Sequence, residues 1–206
     1  MSNAFFQASC RIRYLARAER TNPDINAVFS LRADDALKQA RLSQDRWGRD
    51  APQGPLDGVP VLLKDSVKCI GFDYFHGSAG YLGTPASEDA PPAARIKEAG
   101  GIVFAKPTMP DFGMSASGVS SQFGIVRNPW NLQANSGGSS AGSGSAVAAG
   151  VAPLAVGTDI AGSVRLPAAY NGLAALKPSR GRIPHLPPSP LSTAGPMART
   201  TDDAVC

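Results

Sequence analysis

The chain has 206 residues, of which 43% are hydrophobic and 17% charged, and this composition is sufficient for one globular core. The formal net charge of +4 is spread without a run of like charge, which argues against a basic nucleic-acid-binding surface. The longest apolar stretch, residues 146–156, contains Gly150 and Pro153 and is too short to span a bilayer. We therefore expect neither a nucleic-acid nor a membrane partner.

Cysteine usage and the N-terminus predict a cytoplasmic protein. Cys10, Cys69 and Cys206 form no CxxC pair, so neither a disulfide framework nor a metal site is expected. No apolar segment follows basic residues at the N-terminus, so no signal peptide is expected. Ser2-Asn3-Ala4 reads equally as native sequence or as a cloning remnant.

Helical and strand patterns alternate along the chain. The predicted elements are helices over residues 5–20, 34–47, 91–101 and 146–152, strands over 59–64, 102–106 and 153–157, and a helix after Ser163. Strands that alternate with helices predict an α/β fold. Gly and Pro concentrate in residues 107–145 and 177–196, where we expect long loops.

Histidine-based catalysis is the weaker of two ways to activate a serine here. GSSAG (138–142) matches G-x-S-x-G around Ser140, and Asp159 and His185 follow in the order of a hydrolase triad. A nucleophile elbow directly follows a buried strand, whereas polar NPWNLQANS precedes this segment. We therefore expect His185 and the second histidine, His76, to be ordinary loop residues.

A serine enzyme without histidine needs another base. Lysine can take this role when burial lowers its pKa from about 10.4 to about 7. Lys64 is the first candidate, because it ends the apolar run of residues 59–63, and Lys68 and Lys106 are weaker ones. The alternative interpretation of Lys64 is a surface lysine at a strand end.

Two segments rich in small residues supply candidate serines. NSGGSSAGSGSA (135–146) is either a Gly/Ser linker or a group of backbone N–H donors at a helix N-terminus. VGTDIAGSVRLPAA (156–169) places Ser163 after a buried strand and a turn over residues 158–162. Small turn residues let a substrate carbonyl approach backbone amides closely.

Together these segments resemble the amidase signature family. The resemblance rests on SGGSSAGS (136–143), VGTDIAGSVRLPAA and, upstream, GPLDGVPVLLKDS (54–66). Ser139 and Ser163 are 24 residues apart, as are the two catalytic serines of the family. NPDINAVF, EAGGIVFAKPTMPDFG and GLAALKPSRGRIP follow the order of the family's segments, from about residue 10 to residue 206.

The resemblance implies a mixed β-sheet core flanked by helices and a Ser-Ser-Lys triad that needs no metal or organic cofactor. Ser163 would be the nucleophile that forms the acyl-enzyme, Ser139 the proton relay with a cis peptide bond, and Lys64 the neutral base. The oxyanion hole would consist of the backbone N–H groups of Ile160, Ala161, Gly162 and Ser163. The residues expected to support the site structurally are Asp159, Arg165 and Ser140.

Family members are usually more than twice as long, so the resemblance also implies a partial domain that is truncated at its C-terminus. We expect a helical part over residues 1–50 and a catalytic core with the triad over 54–206. Its partner would be a missing C-terminal half or a second copy in a homo-oligomer. The departures from the family pattern are Ala161 for Gly, Ala141-Gly142 for Gly-Gly, and TMPDFG (108–113) for a segment beginning Thr-Asn.

Three function hypotheses follow. The first is an amidase that hydrolyses the C–N bond of a small or aryl carboxylic amide. The second is a glutamine-dependent amidotransferase subunit that supplies ammonia to a tRNA-bound amino acid. The third is an inactive truncated fragment. No feature of the sequence separates the first hypothesis from the second.

Overall fold

A six-stranded mixed sheet lies at the centre of the computed structural model, which describes residues 3–205 and their side chains from residue 13 onward. Ser2, Cys10 and Cys206 lie outside the described side chains. The helices are α1 (Asn3–Ile25), α2 (Ala33–Gly48), α3 (Pro91–Glu98), α4 (Ala141–Ala148), α5 (Arg165–Asn171) and α6 (Thr201–Val205). The strands are β1 (Val28–Leu31), β2 (Pro60–Leu63), β3 (Asp73–Tyr74), β4 (Thr84–Pro85), β5 (Ile102–Pro107), β6 (Val119–Ser120), β7 (Gly124–Ile125), β8 (Arg127–Asn128), β9 (Asn131–Asn135), β10 (Leu154–Asp159), β11 (Ala174–Ala175) and β12 (Thr193–Ala198).

The strand order of the main sheet is β1-β5-β2-β10-β12-β11. The three central strands, β5, β2 and β10, are parallel, and the outer strands pair antiparallel to their neighbours. This arrangement confirms the predicted mixed α/β fold. The register sets Leu63 opposite Val156, so the carboxyl ends of β2 and β10 lie side by side.

Helices cover both faces of the sheet, because side chains alternate along each strand. Leu62 of β2 belongs to the cluster that contacts α1, α2 and α4. Its neighbours Val61 and Leu63 belong to the opposite cluster, which contacts α3. All three side chains are fully buried. Among the described helices, none is long and apolar enough to cross a membrane.

Helix α1 continues past the Thr-Asn-Pro at which the sequence predicts its end. Pro23 lies within the helix, which ends at Ile25. The Asn22 side chain accepts hydrogen bonds from the N–H groups of Ala27 and Val28, at 2.9 and 2.8 Å. These bonds and the burial of Ile25 hold the chain as it enters β1, and neither is visible in a local pattern.

Helix α4 begins at Ala141 rather than at residue 146, so the GSSAGS segment leads directly into a helix. Glycine and serine are poor helix formers, and packing decides the outcome here. A Cβ atom on Gly142 would lie 2.1 Å from the carbonyl oxygen of Ala27, and one on Gly144 would lie 2.9 Å from Pro167 Cβ. The small residues therefore let α4 lie directly against its neighbours.

An ion pair between the partly exposed Arg46 and the buried Asp57 joins α2 to the loop that leads into β2. Arg46 Nη2 and Nε lie 2.6 and 2.9 Å from the two carboxylate oxygens of Asp57, and the Gln53 N–H donates to the same carboxylate at 2.8 Å. Burial alone would raise the pKa of Asp57. The hydrogen bonds from Arg46 and Gln53 outweigh burial and lower that pKa from 3.8 to about 2.

This pair predicts acid-sensitive stability. The Asp57 carboxylate contributes its full stabilisation above the unfolded-state pKa of 3.8 and loses it as pH falls toward the folded-state pKa of about 2. By linkage this amounts to about 2 kcal/mol at pH 7. We expect Asp57→Asn to lower the free energy of unfolding by that amount at pH 7 and by less at pH 3, measured by urea unfolding.

The exposed Asp45 on α2 provides a matched control. Asp45→Asn removes the same charge, and we expect the free energy of unfolding to change by less than about 0.5 kcal/mol. Equal effects of the two substitutions at pH 7 would contradict the prediction.

Candidate active site

Lys64 lies directly after β2, where its backbone N–H continues the pairing with β10 by donating to the Val156 carbonyl at 3.0 Å. Its side chain is 1% exposed. Nζ is hydrogen-bonded to Ser139 Oγ at 2.7 Å and to Thr158 Oγ1 at 2.9 Å. The interpretation of Lys64 as a surface lysine is therefore wrong.

Burial makes the charged Lys64 ammonium group lose its proton more readily than that of an exposed lysine. Desolvation lowers its pKa from 10.5 to about 7, although the carboxylates of Asp65 and Asp159 act in the opposite direction. Neutral Lys64 is therefore far more abundant near pH 7 than for an exposed lysine. A neutral amine in contact with a serine hydroxyl can accept a proton.

Ser139 precedes α4 and follows a cis Gly138–Ser139 peptide bond. A Cβ atom on Gly138 would lie 2.6 Å from the carbonyl oxygens of Ser115 and Ser117, so only glycine fits there. Ser140 connects this segment to the next one, because its N–H donates to the Ser163 carbonyl at 3.0 Å. The two serine segments predicted from the sequence are therefore adjacent in space.

Asp159 organises the turn that carries Ser163. Its buried carboxylate accepts hydrogen bonds from the N–H groups of Gly162 and Val164, at 2.7 and 3.1 Å. The Arg165 guanidinium binds both carboxylate oxygens at 3.0 Å. Burial would raise the pKa of Asp159, but these donors lower it to about 2. Gly162 has a φ of +120°, a conformation that side-chain-bearing residues avoid.

Ser163 lines the cleft with a partly exposed side chain. Its Oγ makes no hydrogen bond to any residue that the structure describes, so the expected contact between Ser139 and Ser163 is not formed here. The N–H groups of Ile160, Ala161 and Ser163 likewise lack partners within the described part of the chain. Gly162, the fourth expected oxyanion donor, points its N–H at Asp159.

The cleft has a volume of about 430 Å³. Lys64, Ser139 and Ser163 all line it. Most of the remaining wall is apolar, and its larger apolar side chains are Met109, Phe112, Met114, Ile160, Leu166, Leu186 and Pro187. Phe112 is 56% exposed, Met114 87% and Ile160 58%. The cleft can therefore accept an apolar group next to the two serines.

The histidine triad considered from the sequence does not form. Ser140 Oγ interacts with the backbone of Thr158, and Asp159 is paired with Arg165. His185 contacts Ser192 Oγ at 3.1 Å. Both His185 and His76 lie in loops, as the sequence predicts, and both line the cleft.

Sequence reasoning missed two hydroxyl groups at this site. Thr158 contacts Lys64 directly, and Ser66 Oγ lines the cleft, buried without a partner in the described region. Thr158 directly follows the predicted strand 153–157, and this position is the one feature of the sequence that points to it. Its contact with Lys64 depends on the register between β2 and β10. Among the side chains of residues 13–205, no group of three His, Cys, Asp or Glu residues is arranged to hold a metal ion.

Comparison with known proteins connects this geometry to a family. A family model described as Amidase matches residues 12–206. A glutamyl-tRNA(Gln) amidotransferase subunit from Symbiobacterium thermophilum is 40% identical over 194 residues, which cover 92% of this chain and 40% of that protein. The putative amidase AmiB2 of Mycobacterium tuberculosis is 41% identical over 196 residues, which cover 93% of this chain and 42% of that protein.

Solved structures agree with these relatives. Peptide amidase from Stenotrophomonas maltophilia superposes with a TM-score of 0.87 at 35% identity, covering 96% of this chain and 43% of that one. A bacterial aryl acylamidase of the amidase signature family superposes with a TM-score of 0.88 at 29% identity, covering 99% of this chain and 43% of that one. The chain spans about 40% of the length of the curated relatives it matches. The paired serines, the buried lysine, the family match over residues 12–206 and the shared fold together place this chain in the amidase signature family.

Proposed function

We propose that the protein hydrolyses a carboxylic amide through an acyl-enzyme on Ser163. The observation that carries the proposal is the 2.7 Å contact between Lys64 Nζ and Ser139 Oγ in the cleft that Ser163 also lines. A buried lysine with a pKa of about 7 can serve as a general base near neutral pH. Family membership supports the same reaction class.

In the proposed mechanism, Ser163 Oγ attacks the amide carbonyl carbon. Its proton passes to Ser139 Oγ, while the Ser139 proton passes to Lys64 Nζ. As the C–N bond breaks, Lys64 returns a proton along the same path to the departing amine. Water then attacks the Ser163 ester while Lys64 accepts its proton. As the ester C–O bond breaks, that proton passes back to Ser163 Oγ, the carboxylic acid leaves, and Lys64 is neutral again.

The oxyanion formed in each step would bind the N–H groups of Ile160, Ala161 and Ser163. Asp159 keeps these groups in place, because it holds the following backbone through Gly162 and Val164. One oxyanion-hole donor typically contributes about 3–4 kcal/mol of transition-state stabilisation. The turn after β10 therefore supplies both the nucleophile and the electrostatic stabilisation.

A small or aryl amide is the substrate class that the cleft favours. Phe112, Met114 and Ile160 line it with exposed apolar surface, on which an aryl or alkyl group can pack. The solved relatives include a peptide amidase and an aryl acylamidase. A glutamine-dependent amidotransferase is the second candidate, favoured by the amidotransferase subunits among the relatives.

The proposal extends to organisation and location. Residues 1–50 and 54–206 would form the helical and catalytic parts of one partial domain, completed by a C-terminal half or by a second copy. The free buried Cys69 and the low cysteine count agree with a reducing compartment such as the cytoplasm.

A serine-reactive fluorophosphonate probe tests the nucleophile. We expect the probe to form a covalent bond to Ser163 Oγ with loss of fluoride, and Ser163→Ala to abolish labelling. Lys64→Met should slow labelling by at least about 100-fold, because general-base catalysis contributes about 10²–10⁴-fold. Intact-mass and peptide mass spectrometry would measure both effects.

The exposed Ser87, in the loop between β4 and α3, gives a matched control outside the cleft. Ser87→Ala should label at the parent rate. A cooperatively folded parent chain that remains unlabelled would support the inactive-fragment hypothesis, and labelling at a residue other than Ser163 would contradict the mechanism.

The pKa of Lys64 predicts the pH dependence of labelling. Only neutral Lys64 can accept the proton, so the rate should rise with pH through an apparent pKa of about 7. About a tenth of the maximal rate is expected at pH 6 and about nine-tenths at pH 8. A rate that is flat between pH 6 and 8 would argue against Lys64 as the base.

A substrate panel separates the two candidate functions. We expect release of aniline from acyl anilides to exceed release of ammonia from glutamine. Phe112→Ala should lower kcat/KM for anilides by about 10–100-fold, because packing of an apolar group contributes about 1–3 kcal/mol, and should leave small aliphatic amides less affected. Preferential turnover of glutamine would favour the amidotransferase hypothesis.

A further inference from the structure

Lys106 is a second buried lysine beside the site, and the mechanism above does not use it. It lies near the end of β5 and is 1% exposed. No carboxylate of the described residues lies within ion-pair distance of its Nζ. Burial of an ammonium group is unfavourable, and an apolar side chain of similar size would avoid that cost. The contacts of Lys106 therefore call for a specific explanation.

The Lys106 amine holds both ends of the turn that follows β2. Nζ donates to the Lys64 carbonyl at 3.0 Å and also to the Val67 carbonyl. The Val67 N–H closes the same turn by donating to the Lys64 carbonyl at 2.9 Å. Since the Lys64 side chain leaves the backbone at this point, Lys106 restrains the direction in which Lys64 enters the cleft.

The charge of Lys106 also opposes that of Asp65, which lies within the same turn. Asp65 is fully buried and accepts hydrogen bonds from the N–H groups of Phe75 and Gly77, at 2.8 and 2.7 Å. Its carboxylate opposes the lowering of the Lys64 pKa by burial. Burial raises the pKa of Asp65 itself, whereas the charge of Lys106 acts in the opposite direction. Lys106 therefore favours the charged form of Asp65, and as a nearby cation it offsets the effect of that carboxylate on Lys64.

We propose that Lys106 is a positioning residue for amide hydrolysis, which holds the Lys64–Val67 turn in place and supplies the positive charge that offsets Asp65 beside Lys64. This inference rests on the proposed function, because that function makes Lys64 the base. Burial lowers the pKa of Lys106 to about 8, and the Asp65 carboxylate acts in the opposite direction. The titratable groups that act on or respond to this pair are Asp65, Cys69, His76, Asp159 and His185.

The test is the pH profile of fluorophosphonate labelling for the parent chain and for variants at Lys106. In Lys106→Met the Asp65 charge is no longer offset, so Lys64 should stay protonated to higher pH. We expect the midpoint of the profile, the pH at which labelling reaches half its maximal rate, to rise by about one unit. The rate at pH 7 should fall several-fold and should recover by pH 9. Lys106→Arg keeps the positive charge, so the midpoint of its profile should stay close to that of the parent chain.

A double variant guards against a general structural effect. The combination of Asp65→Asn with Lys106→Met removes both charges. We expect the midpoint of its pH profile to return toward that of the parent chain. If Lys106→Met instead loses rate equally at every pH and its midpoint does not move, Lys106 has a purely structural role and the proposal is overturned. Circular dichroism would show whether Lys106→Met folds. If it does not, the pH profile of Asp65→Asn takes its place: a midpoint that fails to move to lower pH would overturn the proposal.

Failure of the proposed function and failure of the role of Lys106 would look different. Loss of the proposed function would appear in the parent chain, as labelling that is absent, is directed elsewhere or persists in Lys64→Met. Loss of the Lys106 role would appear only in the Lys106 and Asp65 variants, while the parent and Lys64→Met behave as proposed.

Discussion

The parallel pairing of β2 with β10 is the constraint on which the site depends. It brings the carboxyl ends of the two strands together, so that Lys64 from one meets Thr158 from the other at 2.9 Å. The same pairing buries the lysine amine completely, and burial lowers the pKa of Lys64 to about 7. The proposed mechanism needs no histidine, because burial beside the sheet gives Lys64 the properties of a general base.

The remaining parts of the site are fixed by backbone hydrogen bonds rather than by side-chain packing. Asp159 binds the turn that presents Ser163, and Ser140 ties the start of α4 to the same turn. Glycine at positions 138 and 162 meets steric demands that a side chain would violate. The small-residue segments thus form rigid structure, and the alternative interpretation of 135–146 as a flexible linker is wrong.

Sequence patterns predicted the central elements well, because these elements bury regular apolar faces. Strands β2, β5 and β10 and helix α2 lie close to their predicted positions. The start of α4, the end of α1 and the strand β12 were missed. For α4 and β12 the deciding contacts come from distant parts of the chain, whereas the end of α1 is held by the hydrogen bonds of Asn22 to the nearby Ala27 and Val28. Strand β12 contains Gly195 and Pro196 and still pairs along its whole length with β10.

The sequence by itself determined which chemical groups are available: two serines in small-residue segments, a lysine at a strand end, and a turn with free backbone amides. Residue types and spacing suffice for this, and the family resemblance rests on them. Only the tertiary structure decided which groups meet. The burial of Lys64, its contact with Thr158, the engagement of Gly162 by Asp159 and the position of Lys106 all depend on strand register and packing, which join residues far apart in the chain.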